Sequence, residues 1–355
     1  MALKSFNINE DVVTTEITVT NGFFDGGKGI VQGTSLTTAS LSTDQKKYYY
    51  NLQFNSKDHL SVTYGHIAGS GSGEQSTNVE GETQAVYKQF YNFTENDREK
   101  LKTSQGWSMN SVTQSEAYIC SAERLQMKDR INPGTWTFKL SGSDAEEPAA
   151  PNTSTGIARH FTDDSKTTDP SAAPFGERYN IVSGAAGTVH TAASTKTYGH
   201  FYPDAGLWIF SATELSSSIP GQVGFEKSGS GYSAVLPGQG LSSDLRVDSD
   251  ADNAFKFATS LQKGTVTLRS EEYQYIYDYF CRAKANEFNY SNNITFWSGS
   301  DYQIRHNDMQ NNPQVYITEV GLYDSAGQLM AIGRLSSPLE KNFSSEAVVK
   351  VRLTY

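Results

Sequence analysis

Val315-Tyr-Ile-Thr-Glu-Val-Gly-Leu-Tyr323, followed by Asp324-Ser-Ala-Gly327 and then Gln328 to Leu335, is written as a strand, a turn and a returning strand. The first segment is rich in β-branched and aromatic residues, and the four residues after it are turn formers, so the pattern predicts a β-hairpin. Ser337-Pro338 then breaks the pattern. Beyond it Ala347-Val-Val-Lys-Val-Arg-Leu-Thr-Tyr355 alternates. A period of two places Ala347, Val349, Val351, Leu353 and Tyr355 on one face, and Lys350, Arg352 and Thr354 on the other. Strand period kept this close to a chain terminus predicts that the segment is tied into a sheet, because untethered ends fray.

The rest of the chain has a composition that agrees with this ending. Only 37% of the 355 residues are hydrophobic, yet 12% are aromatic, led by 20 Tyr and 18 Phe, and there are 30 glycines. Tyr, Thr, Phe and Val suit a pleated, half-exposed surface, while Gly, Ser and Asn suit the turns between strands. The expected fold is mainly β: an antiparallel, sandwich-like β core with long loops and a few short helices. The length fits two domains, or one with a large insertion.

A net charge of −10, with no run of five or more Lys and Arg, argues against binding to a nucleic-acid backbone. Cys120 and Cys281 stand far apart and read as two thiols acting as small hydrophobes, with no disulfide framework. Met1-Ala-Leu-Lys-Ser-Phe6 has no apolar stretch of the secretory kind, and no apolar run reaches the roughly 18 residues of a membrane span. The expectation is synthesis and folding in a cytoplasm, no membrane insertion, and sequons at Asn92 and Asn293 that are incidental.

Residues 1–45 read as an extended N-terminal arm, β-prone over Asp11 to Thr20 and broken at Asn21-Gly-Phe-Phe-Asp-Gly-Gly27. Residues 46–140 and 260–355 read as a β-rich core. Its strands are expected at Lys47 to Phe54, Leu60 to Tyr64, Tyr118 to Ala122, Trp136 to Leu140, Thr265 to Leu268 and Tyr273 to Ala285. Asn132-Pro-Gly134 is a turn signal between two of them. Glu82 to Phe93 is predicted as a short helix with Val86, Phe90 and Phe93 on its buried stripe, and Thr94 as the cap of a second helix. Residues 141–259 read as a loop-rich inserted region or a second small β domain, with strands at Arg178 to Ser183 and Leu207 to Phe210. Within it, 141–174 is expected as a long exposed loop and 216–252 as a peripheral excursion. No fixed-period repeat is visible, which disfavours solenoids and propellers.

Chemistry-bearing patterns are sparse. Asp248-Ser-Asp-Ala-Asp252 spaces carboxylates like the start of a calcium loop, but Asn253 replaces the turn glycine and Thr259 the bidentate Glu, which leaves an acidic solvated loop. Gly69-Ser-Gly-Ser-Gly73 lacks the Gly-Lys-Ser/Thr ending of a phosphate cradle. His59, His66, His160, His190, His200 and His306 show no metal-ligand spacing, and no Gly-x-Ser-x-Gly elbow exists. The expectation is therefore no catalytic, cofactor-binding or metal site. Exposed Tyr and Trp leave sugar binding open, although such residues more often serve core edges and subunit contacts.

Several blocks resemble a known family. Tyr64-Gly-His-Ile-Ala-Gly-Ser-Gly-Ser-Gly73 with Thr83-Gln-Ala-Val-Tyr87, then Lys284-Ala-Asn-Glu-Phe-Asn-Tyr-Ser-Asn-Asn293, Pro313 to Tyr323, Leu335-Ser-Ser-Pro-Leu339 and the Val-Lys-Val-Arg-Leu ending are similar to virion structural proteins of large contractile-tailed, T-even-like phages, cyanophages in particular. The blocks are spread from about residue 46 onwards; the long polar segments match no motif. The resemblance brings no catalytic residues. It implies a non-enzymatic component of the particle, at the tail or baseplate, with neck, collar or head decoration as other placements. Its partners would be other virion proteins and copies of itself. The competing expectations are a receptor- or glycan-binding tail appendage and, last, a polysaccharide-degrading enzyme.

Overall fold

The computed structural model describes residues 4–32, 35–40, 48–67, 83–95, 106–140, 160–190, 196–215, 225–228, 231–234, 254, 257–258, 260–262, 264–301 and 303–355. The chain is mainly β, with antiparallel sheets and few short helices, as its composition predicts. It divides into two compact units, a small one of residues 1–18 and 273–355 and a large one of residues 19–272. The division differs from the expected domains, because residues 273–355 group with the N-terminal residues and not with 46–140.

In the large unit one antiparallel sheet runs through strands in the order Ile30–Gln32, Thr265–Thr267, Thr137–Lys139, His160–Asp163, Gly176–Ala185, Gly199–Tyr202, Leu207–Ser211, Glu116–Ala122, Lys57–His66, Tyr49–Phe54 and Thr37–Thr38. The two end strands are neighbours in sequence, with only residues 33–36 between Gln32 and Thr37. Five peptide steps reach roughly 18 Å. A flat sheet of this many strands would hold its ends roughly 48 Å apart. The sheet therefore has to curl.

Curling gives its strands two buried faces, and the period of two sorts the side chains between them. Along Leu207–Ser211 every residue is buried: Trp208 and Phe210 join the interior cluster, whereas Leu207 and Ile209 join the cluster on the outer side. Tyr118 and Cys120 go inward, Ala117 and Ile119 outward. Aromatic rings fill the interior, with Trp136, Phe138 and Phe201 around Trp208 at centroid distances of 5.7, 5.0 and 5.2 Å. Each fully buried ring of this size contributes about 1.5–3 kcal/mol relative to exposure. Ala254, Phe257, Ala258 and Leu261 also lie in this core; Phe257 stacks on Tyr118 at 5.1 Å.

The helix Thr83–Glu95 covers the outer cluster. It buries Thr83, Tyr87, Tyr91 and Thr94, so the stripe expected from Val86, Phe90 and Phe93 is displaced. Val86 and Phe90 are only partly buried, and Phe93 is exposed and stacks on Phe175 at 4.0 Å. Tyrosine takes the buried stripe because its hydroxyl can be satisfied there: Tyr87 donates to the Gln114 carbonyl, and Tyr87 and Tyr91 flank Trp107 at 4.6 and 5.5 Å. Thr94 does not cap a new helix. Its hydroxyl donates back to the Phe90 carbonyl at 3.1 Å and accepts Trp107 Nε1 at 2.9 Å. Residues 96–101 of the expected second helix lie outside the described residues.

Two other expectations are revised. Part of the predicted loop 141–174 is sheet: His160–Asp163 pairs on both sides, with Phe161, Thr162 and Asp163 buried. Its polar residues are bonded in place, Thr162 Oγ1 to the Trp136 carbonyl at 2.7 Å and Asp163 to the Gly134 amide at 2.8 Å. That is why hydropathy hides the strand. The expected arm 1–45 also divides. Val12–Gly22 is a strand with no buried residue, but Phe23, Phe24, Val31 and Leu36 are buried in the core of the large unit. Within 216–252, the described residues form the antiparallel pair Phe225–Ser228 and Gly231–Ala234.

The small unit holds the expected C-terminal hairpin, Val315–Tyr323 with Leu329–Lys341, but Ser337-Pro338 does not break the returning strand: an irregularity between the Ile317–Leu339 and Glu319–Arg334 pairs accommodates the proline, and pairing resumes to Lys341. Ala347–Thr354 pairs with Arg269–Ala283, which places Val351 opposite Tyr279 and Val349 opposite Cys281. These residues meet Leu322, Val320, Ala331 and Leu335 of the hairpin, so the core is one sheet face against another. Val349 and Val351 are buried and Lys350 and Arg352 exposed, as the alternation predicts; Tyr355, expected on the buried face, is exposed.

Candidate assembly interface

The small unit buries few side chains completely and leaves many apolar ones in the open. Leu322, Val349 and Val351 are the buried residues of its cluster. Ile8, Val13, Ile17, Tyr316, Leu329, Met330, Ile332, Phe343, Val348 and Tyr355 are all exposed. A scattered exposed apolar residue means nothing, whereas a concentration on strands is the mark of a contact surface.

Val12–Gly22 makes the point most sharply. Val12, Val13, Thr14, Thr15, Ile17, Thr18, Val19 and Thr20 are all β-branched, a sequence suited to a covered strand. Yet Val13 is 49% and Ile17 41% exposed, and no residue of the strand is buried. It is the end strand of its sheet, and among the described residues one edge is unpaired. Edge strands of this composition are templates for pairing unless covered. Its neighbourhood is fixed by ion pairs: Arg282 to Asp11 at 3.1 Å and Lys4 to Glu287 at 2.7 Å.

Asp248 to Asp252 and Gly69 to Gly73 lie outside the described residues. His59 sits among Phe23, Phe24 and Phe54, accepts the Asp25 amide at 3.1 Å, and is held below its ordinary pKa by burial. Burial, with the Arg178 charge, pushes His200 down to about 3, so it is neutral at physiological pH. Burial likewise raises the Cys120 thiol. Among the described residues no group of three His, Cys, Asp or Glu side chains is arranged to hold a metal ion. No helix there is long and apolar enough to cross a membrane.

Sequence reading missed several buried polar groups, because their partners are distant along the chain. Glu116 accepts from Tyr64 and Thr213, both at 3.0 Å, and burial raises its pKa. Arg130 bridges Glu271 at 2.9 Å and Glu177 at 3.1 Å. Asp163 ties the Asn132-Pro-Gly134 turn and Ser165 to its strand. Each carboxylate is satisfied by groups of the fold, so the arrangement locks strands together.

One aromatic group has a different character. Tyr290, Phe296 and Trp297 cluster with Tyr290 to Trp297 at 4.4 Å and Phe296 to Trp297 at 4.9 Å, and Tyr290 is 59% exposed. The Trp297 indole nitrogen donates to the Ser291 carbonyl at 2.7 Å, which fixes the ring.

Comparison with protein-family models, with curated proteins and with solved structures finds no match to this chain.

Proposed function

We propose that the chain is a non-enzymatic structural component of a phage particle, at the tail or baseplate, acting through protein–protein contacts with other virion subunits and with copies of itself. The observation that carries the reading is the β-branched strand Val12–Gly22, which buries none of its residues and lies at a sheet edge unpaired among the described residues. Such a strand gains its burial only from a neighbour. The resemblance of the blocks between residues 64 and 355 to T-even-like virion proteins supplies the kind of neighbour. An acidic subunit that stays soluble when free suits assembly from a pool of monomers.

Peptide mass spectrometry of gradient-purified particles of the encoding phage tests the reading. The chain should be found in stoichiometric amount, and removal of its gene should leave particles lacking tail parts. Intact infectious particles that lack the chain would overturn it.

The Tyr290, Phe296 and Trp297 cluster favours one second reading, a glycan-binding tail appendage, since partly exposed fixed rings stack on sugar faces. Retention of the full chain on immobilised host polysaccharide, lost in Trp297→Ala, would support it. Equal recovery from blank resin would remove it.

A further inference from the structure

The Val315–Lys341 hairpin has an outer face that carries exposed apolar side chains. Gly321 pairs with Ile332 and Glu319 with Arg334, two steps apart on the ladder, so these four residues share one face. It is the face turned away from the small core. Gly333, on the opposite face, would place a Cβ 3.3 Å from Val351. Tyr323 and Leu329 lie on the outer face too, since a Cβ on Gly321 would meet the Tyr323 ring at 2.9 Å and Leu329 Cδ1 at 3.1 Å. Leu329 is 47% and Ile332 54% exposed. Beside this apolar strip Glu319 and Arg334 form an ion pair at 3.3 Å, with side chains 54% and 81% exposed.

We propose that this face is a two-fold homotypic interface whose occupant is the same face of a second copy of the chain. Charge complementarity selects that occupant. A two-fold contact places one surface on itself, so every charge must meet its opposite within the same patch. An acid and a base directly across the ladder meet that condition: rotation brings Glu319 over Arg334 of the second copy and Arg334 over its Glu319. A patch of one sign would repel its own copy. The exposed apolar pair Leu329 and Ile332 then covers itself, which is the centre-and-rim arrangement of a specific contact. The inference deepens the structural reading by naming one partner. It is measured in free solution, so a failure here and the absence of the chain from particles are separate results.

The test is sedimentation velocity of the full chain over a concentration series. Wild-type protein should associate reversibly. Ile332→Glu should weaken association about tenfold or more, and Glu319→Arg or Arg334→Glu should each weaken it. An equimolar mixture of the two charge variants should recover it, because one then offers two bases where the other offers two acids. Leu125→Glu, at an exposed position of the large unit, should behave as wild type. Wild-type protein that stays monomeric, Ile332→Glu that associates as wild type, or charge variants that do not recover on mixing would each overturn the proposal. Circular dichroism checks the fold of each variant, and the charge variants alter only exposed side chains.

Discussion

Lys341 is fully buried, and its ammonium lies 2.7 Å from the amide oxygen of Asn289. The remaining contacts are the carbonyls of Asn342 at 2.8 Å and Ala285 at 3.1 Å, so three neutral oxygens surround the charge. Asn289 in turn donates to the Ala285 carbonyl at 2.6 Å. The group joins the end of the hairpin to the segment after Arg269–Ala283 within the small unit. A buried charge without its acceptors is costly, and the acceptors without their donor are costly too. Lys341→Met and Asn289→Ala should each lower stability by about 2–3 kcal/mol. The double variant should cost clearly less than the sum, because the second change removes groups the first left unpaired. Urea denaturation of the four proteins gives the cycle; strict additivity would mean that the two side chains act independently.

Gly65 tests how closely the helix Thr83–Glu95 sits on the sheet. A Cβ there would fall 2.7 Å from the Tyr87 amide nitrogen and 2.8 Å from its Cα, both backbone atoms that cannot turn aside. Gly65→Ala should therefore push the helix outward and cost about 1–3 kcal/mol. Tyr87 packs on Trp107, so the shift should also appear as a change in tryptophan fluorescence. Unchanged emission and an unchanged urea midpoint would show that the helix can ride higher without penalty.

The two thiols should differ in reactivity. Both are free; Cys120 is fully buried in the core of the large unit, whereas Cys281 is only partly buried in the small one. Burial raises both above their ordinary value, and Asp11 adds to the shift at Cys281. Alkylation under native conditions should mark Cys281 on local opening and Cys120 only on global unfolding. Peptide mass spectrometry over time reads the order. Labelling of Cys120 at the rate of Cys281 would show that the large unit opens as readily as the small one.

What the sequence disclosed follows from which faces are buried. Ala347 to Tyr355 has one face on a core, so its alternation gave the side-chain directions for all but Tyr355 at the strand's end. Leu207–Ser211 has both faces buried and no alternation to read, and its place was legible only from its β-prone composition. His160–Asp163 was invisible because Thr162 and Asp163 are polar and become buriable through Trp136 and Gly134, both far away along the chain, with Ser165 adding a local bond to Asp163. The helix Thr83–Glu95 was found, but its buried face was misread, since Tyr87 and Tyr91 count as half-polar until Gln114 and Trp107 are placed beside them. The strand Val12–Gly22 was legible as β-prone; that none of its residues is buried was not, because exposure is a property of the finished fold.

Asp278 offers a pH test of the small unit. It lies between two bases on the neighbouring strand: Arg352 reaches it through Nε at 2.8 Å and through Nη2 at 3.0 Å, and Lys350 through Nζ at 2.7 Å. The Arg352 hydrogen bonds first, and that of Lys350 second, hold the carboxyl well below its ordinary 3.8. A carboxyl whose pKa is depressed on folding stabilises the fold above its unfolded value and loses that contribution as pH falls toward the folded one. Asp278→Asn should therefore be less stable than wild type around neutral pH. The gap should stay level down to about pH 5 and narrow as pH drops below about 4. Urea midpoints of both proteins across this range are the measurement. A gap that persists unchanged at the acid end would assign the loss in Asp278→Asn to altered packing, with no part for the charge on Asp278.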